Sequence, residues 1–170
     1  VAGNSNIQNT ANNARYLIDL LNCNIPIYSG DEKPLKRELV VADVHGEGGL
    51  KGVQIMKTEK LTNSASQEIR NIVRANPHEI TVLLLGPQTN LAKAFMIDTD
   101  LPKLIKEVVI MGGAIEVPGN KNRVGEFNIF VDPDAAKLVL ESDVKKTMIP
   151  LDACNSISLS LKDFECLKKS

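Results

Sequence analysis

The sequence predicts an α/β fold of Rossmann-like type, with a mostly parallel central sheet and helices on both faces. Short apolar runs at 80–85 and 107–111 are rich in leucine and β-branched residues and lack the alternation of a half-solvated strand. Between them lie stretches whose apolar residues recur at helical spacing, the pattern of strands joined by crossover helices. No internal repeat, low-complexity tract or linker divides the chain, so residues 1–170 read as a single domain with one core.

The elements follow in order. Ala11, Ala14, Leu17, Ile18 and Leu21 share one face of an expected helix over 8–21, with asparagines on the other. Pro26-Ile27-Tyr28 reads as a short strand. Residues 29–52 are rich in charge and in glycine, including Gly46, Gly48 and Gly49, and so long a connection suits a pocket wall. Ala65, Ile69, Ile72 and Val73 line an expected helix over 64–75, which Asn76-Pro77 should stop, because the residue before proline is pushed out of helical geometry. A strand over 80–85 leads through Gly86-Pro87 to a helix over 88–96. Thr89 is placed in that helix's cap or first turn, where its hydroxyl can satisfy an orphan amide. The strand over 107–111 ends at Gly112-Gly113, which permits a sharp departure of the backbone. Asp132-Pro133 then starts a helix, with an N-cap acceptor and proline at the first position, and Asp132 is assigned to that cap rather than to chemistry. A strand over 145–151 closes the alternation.

Composition excludes several classes of function. The net charge is −1, with 20 basic and 21 acidic residues interspersed, so no basic stripe is available for a nucleic-acid backbone. The longest apolar runs, 82–85 and 108–111, are far too short to span a bilayer, and no membrane partner is expected. Cys23, Cys154 and Cys166 are odd in number and widely spaced, which favours neither a disulfide framework nor a zinc site and fits a reducing cytoplasm. They read as inert small apolar residues. His78, beside Pro77 at a helix-to-strand corner, reads as a surface residue.

The chemistry concentrates after the strand at 107–111. Ligands of open α/β sheets bind beyond the carboxyl ends of the strands, and there the chain places Asn120, Glu126 and Asn128. Asparagine both donates and accepts and glutamate accepts strongly, as the vicinal hydroxyls of a sugar require. The order Met111-Gly112-Gly113-Ala114, Gly119-Asn120, Glu126-Phe127-Asn128 and Asp132-Pro133 resembles the MGGA, GN, EFN and DP series of the nucleoside hydrolases, the inosine/uridine-preferring nucleoside N-ribohydrolases. Upstream, Ala2-Gly3-Asn4 resembles that family's AGN, Ala42-Asp43-Val44-His45-Gly46 its ADVHG, and Gly86-Pro87-Gln88-Thr89-Asn90-Leu91-Ala92 its GPLTNLA, with Gln88 replacing an apolar residue. Downstream, Pro150-Leu151-Asp152 resembles its PLD. Motifs in one order across nearly the whole chain form a far stronger signal than any one of them.

The resemblance implies hydrolysis of the N-glycosidic bond of ribonucleosides to ribose and free base. It implies that Asn4, Asn120, Glu126 and Asn128 hold the ribose hydroxyls, that Met111 turns an edge toward the sugar, and that His45 contacts the base side of the pocket. The resemblance also implies calcium as cofactor, with Thr89 offering it a backbone carbonyl, a kind of ligand that ion readily accepts. Family members form dimers or tetramers, so a homodimer or homotetramer is expected. The roles of Asp43 and Asp152 stay open. The family's DTDPGxDD-type aspartate cluster and its late histidine and aspartate have no counterpart in this sequence. The expectation is therefore the middle portion of a family member, incomplete at both ends and inactive or weak by itself. A non-catalytic ribose- or nucleoside-binding domain, or truncated paralogue, is the alternative. A nucleotide-dependent oxidoreductase ranks below both, because no GxGxxG turn follows a strand.

Overall fold

A computed structural model describes residues 1–53, 55, 61, 63–161, 163 and 165. Three strands, β1 (Thr81–Leu84), β2 (Glu107–Met111) and β3 (Lys146–Ile149), form a parallel sheet in the order β1-β2-β3. The register sets Leu83 beside Val109 and Val109 beside Thr147. The helices are α1 (Ile7–Leu20), α2 (Ala65–Ala75), α3 (Thr89–Ile97), α4 (Leu101–Leu104), α5 (Phe127–Val131), α6 (Pro133–Glu141) and α7 (Leu151–Cys154), with a 3-10 turn at Asp43–His45.

The parallel sheet and its crossover helices stand as the sequence leads one to expect, but the described residues cover the sheet mainly on one side. Exposure alternates along every strand, with Val108 and Ile110 buried and Leu83 59% exposed on the opposite face. The cause is topological. Crossovers between parallel strands are right-handed, and strands laid down in simple sequence place successive crossover helices on the same face. Helices α2, α3 and α6 pack there, and Val73, Leu91, Phe95, Val108, Ile110 and Val139 meet in the core. Arg74 of α2 makes two hydrogen bonds, of 2.6 and 2.7 Å, to Asp98 at the end of α3, tying those helices together.

Several boundaries differ for local reasons. The expected strand at 26–28 is absent; among the described residues the only pairing there is a single bridge of Ser29 with Ser64. Pro26 has no N–H to give, and among the described residues no sheet edge is offered to this segment. The last strand stops at Ile149, and Leu151 begins α7 instead. Pro150 again lacks the N–H that would extend the ladder. Helices α4 and α5 and the 3-10 turn were not anticipated, being too short to show a period. Cys23 is an exposed free thiol and Cys154 a half-buried one, while Cys166 lies outside the described residues. His78 is exposed, as expected, in a left-handed conformation (φ 64°).

Candidate functional site

Strand β2 delivers Met111 to the carboxyl edge of the sheet, and Gly112 and Gly113 turn the chain away. Gly113 has φ 89°, a conformation that glycine adopts without steric penalty. A side chain on Gly112 would approach a Glu126 carboxylate oxygen at 3.3 Å, so the bare backbone lets that carboxylate close in. Glu126 is 2% exposed, and its carboxylate accepts hydrogen bonds from the backbone N–H of Gly113 at 3.1 Å, Asn128 at 2.9 Å and Ile129 at 3.1 Å. It thereby caps α5 and fastens that helix to the strand end. Glu126 is thus the start of a helix with Asn128 in its first turn, because a carboxylate suits the orphan amides there.

Asn128 is buried and donates its amide to the Met111 carbonyl at 3.1 Å and to the Met111 sulfur at 3.1 Å. Its carbonyl oxygen has no donor among the described residues and remains an acceptor. Asn120 is used in the opposite sense: its Oδ1 accepts from the Phe127 N–H at 2.8 Å, which leaves the Nδ2 hydrogens to donate. The connecting loop is folded on itself by Asn122, whose Oδ1 accepts from Val124 and Gly125. Asp152, open at the sequence level, anchors the loop's beginning. Its carboxylate accepts from the N–H groups of Ile115 at 3.0 Å and Glu116 at 2.8 Å, which hold its pKa below the usual aspartate range.

The facing wall is the 42–49 loop. Asn9 and Asn13 of α1 donate side-chain amides to the carbonyls of Glu47 and Gly48, each at 3.0 Å. Gly49, with φ 75°, sits where a Cβ would come within 2.7 Å of Ser5. The loop therefore lies against α1 and lends Ala42, Val44 and His45 to the space it faces. Asp43 belongs to the 3-10 turn of this wall.

Between the two walls lies a cleft of about 430 Å³. Asn4, His45, Met111, Asn120, Glu126 and Asn128, the six candidates proposed as substrate contacts, all line it. The lining also includes Ala42, Val44, Leu85, Lys121 and Phe127, which were not singled out from the sequence. Ala42 and Val44 lie inside a quoted motif and Lys121 follows Asn120, so adjacency was the only signal for them. A second cavity of about 350 Å³, among Phe95, Met96, Pro102 and Leu138 at the far end of α3 and α6, contains none of these candidates.

Thr89 stands apart from the cleft lining. It is buried as the first residue of α3, and its hydroxyl donates to Asp132 at 2.7 Å instead of capping its own helix. Asp132 is fully buried and also accepts from the N–H of Leu35 at 2.9 Å and of Ala135 at 3.0 Å. The cap assigned to Asp132 is present, and the same carboxylate joins α3, α6 and the 31–37 segment. Among the described residues no group of three or more His, Cys, Asp and Glu side chains is placed to hold a metal ion. Calcium takes six to eight oxygens, so the described side chains do not fit a calcium site by themselves.

A family model described as inosine-uridine preferring nucleoside hydrolase matches residues 1–170. The chain is 37% identical to the pyrimidine-specific ribonucleoside hydrolase RihA of Citrobacter koseri, over 96% of this chain and 54% of that protein. It is 38% identical to the same-named protein of Escherichia coli O7:K1, with the same coverage. Among solved structures it superposes on the plant nucleoside hydrolase PpNRh1 with a TM-score of 0.91 and 29% identity, over 100% of this chain and 55% of that one. The purine-preferring ribonucleoside hydrolase from Gardnerella vaginalis matches with a TM-score of 0.90 and 29% identity, over 96% and 54%. The chain spans about half the length of the relatives it matches.

Proposed function

Because the chain belongs to the inosine-uridine preferring nucleoside hydrolases, a family of metal-dependent enzymes, we propose that its cleft binds the ribose of a ribonucleoside. The whole protein then hydrolyses the N-glycosidic bond. Water adds its oxygen to the anomeric carbon, the bonding electron pair leaves with the base, and the water's proton completes ribose and free base. The observation that carries this reading is the meeting of Asn4, Met111, Asn120, Glu126 and Asn128 at one strand end, beside an apolar wall.

Each side chain has a distinct part. The spare Nδ2 hydrogens of Asn120 donate to a sugar oxygen, and the spare oxygen of Asn128 accepts from a hydroxyl. Glu126, held by three backbone donors, stands with its carboxylate beside the ring. A carboxylate there favours the cationic sugar that develops as the glycosidic bond breaks. Met111 offers its sulfur edge to the ring, Asn4 closes the rim, and His45 with Val44 faces the base.

Calcium is the metal we assign to the whole protein; bound there it would supply an activated water, and the Thr89 carbonyl would be this chain's contribution. The described cleft holds no carboxylate free to act as a base, because Glu126 is engaged by backbone amides. We therefore assign this 170-residue chain the role of a ribose-binding half that turns over weakly or not at all. Among the described residues no helix is long and apolar enough to cross a membrane. We place the protein in the cytoplasm, as a homodimer or homotetramer. Calorimetric titration of the chain with ribose tests the binding reading, with binding expected and lost in Asn128→Ala; no binding overturns it. Release of base from inosine or uridine by this chain at the rate of a full-length relative overturns the assignment of weak turnover.

A further inference from the structure

The side chains assigned to the sugar are fixed in two different ways. Glu126 and Asn128 stand at the start of α5 and are buried, so packing and short-range bonds hold them together. Asn120 sits on the loop between β2 and α5, where no residue from 114 to 125 is buried; Ile115 is 70% exposed and Val124 78%. A loop without buried apolar contacts is ordered by its hydrogen bonds. The far half of this one closes on itself. The Gly119 N–H donates to the Arg123 carbonyl at 3.2 Å and the Lys121 N–H to the Gly125 carbonyl at 3.0 Å, and a Cβ on Gly119 would run into the Gly125 carbonyl. Asn120 therefore moves with that closed unit, and it points where the unit is placed.

Two attachments place the unit. At its end the Asn120 Oδ1 accepts from the Phe127 N–H of α5 at 2.8 Å. At the loop's beginning the hold comes from α7: the Leu151 N–H donates to the Gly113 carbonyl at 2.9 Å, and the two Asp152 oxygens accept from the Ile115 and Glu116 N–H groups at 3.0 and 2.8 Å. One attachment lets the unit pivot about the bond between Asn120 and Phe127, whereas both together select one orientation. We infer that Asp152, which does not line the cleft, is a positioning residue for sugar recognition: through residues 115–118 it sets where the spare Nδ2 hydrogens of Asn120 point. This rests on the pentose reading of the cleft. An arm ordered before the sugar arrives does not have to be ordered by it, and the affinity gains that difference. Glu126 and Asn128, fixed by their own bonds, do not depend on Asp152.

The test is a double-mutant cycle on the 170-residue chain, read by calorimetric titration with ribose. Asp152→Ala is expected to weaken ribose binding about tenfold. In an Asn120→Ala background the same substitution should change the affinity by less than about twofold, because the contact it orients is already gone. In an Asn4→Ala background it should keep its full effect, since Asn4 lies on another segment of the cleft. Asp152→Asn keeps one acceptor oxygen and should lose only about threefold, with the same dependence on Asn120. That variant supplies the cycle if circular dichroism shows Asp152→Ala to be unfolded. A loss of equal size in the Asn120→Ala and Asn4→Ala backgrounds marks a residue that merely supports the fold, and overturns the inference. Unchanged affinity in the folded Asp152 variants also overturns it, while leaving the pentose reading intact. Failure of the unaltered chain to bind ribose removes the pentose reading and the inference with it.

Discussion

The two walls of the cleft are held by different physics. The wall from Met111 to Asp132 is fastened by buried carboxylates: Glu126 and Asp132 each accept three hydrogen bonds within the protein. The wall at 42–49 is hung on α1 by two side-chain amides at solvent-exposed positions. A buried donor that loses its partner forfeits its desolvation as well as its bond, whereas an exposed one finds water. The wall from Met111 to Asp132 is consequently the rigid one, suited to fixing a sugar, and the 42–49 loop is the wall that can yield.

The largest test of this contrast is Asp132→Ala. It strands the donors of Leu35, Thr89 and Ala135, and a loss of about 3–5 kcal/mol is expected in urea unfolding, a large share of the roughly 5–15 kcal/mol typical of a domain. Glu126→Gln should lower stability by about 1–3 kcal/mol and weaken ribose binding about tenfold or more, because one acceptor oxygen becomes a donor facing backbone N–H groups. Gln88→Leu should act in the opposite direction. Gln88 is 1% exposed and neither its Oε1 nor its Nε2 has a hydrogen-bond partner among the described residues, so an apolar side chain of similar size should raise stability by about 1–2 kcal/mol in the same unfolding assay.

Asn9→Ala marks the soft wall. Its stability change should stay within about 1 kcal/mol, while hydrogen exchange at residues 44–49 speeds up. Were Asn9→Ala to destabilise the chain as much as Asp132→Ala, the distinction between the walls would be lost. The smallest effect is set by pH. The N–H groups of Ile115 and Glu116 lower the Asp152 pKa in the folded chain, so this contribution is complete above the ordinary aspartate range. It disappears as pH falls through the lower folded value. Exchange protection of the Ile115 and Glu116 amides should follow that acid titration and be independent of pH in Asp152→Asn.

Local signals carried most of the fold. The strand over 107–111 has the same limits in the structure as in the sequence, because a run of β-branched residues ended by two glycines leaves few alternatives. The helix begun by Asp132-Pro133 was equally legible from its cap. The strand expected at 26–28 failed because a strand needs a partner, which no local pattern supplies. That the described helices lie mainly against one face of the three strands was likewise hidden, since it follows from strand order and crossover hand rather than from hydrophobicity.

For the site, residue type and order in the sequence determined which side chains are suited to a pentose: Asn4, Asn120, Glu126 and Asn128. Only the tertiary structure decided which of their atoms are free. Glu126 spends three acceptor positions on backbone amides, Asn120 its oxygen and Asn128 its nitrogen, and Thr89 turns its hydroxyl to Asp132. The reason is that donor and acceptor capacity belongs to the residue, whereas its remaining share depends on neighbours brought from elsewhere in the chain.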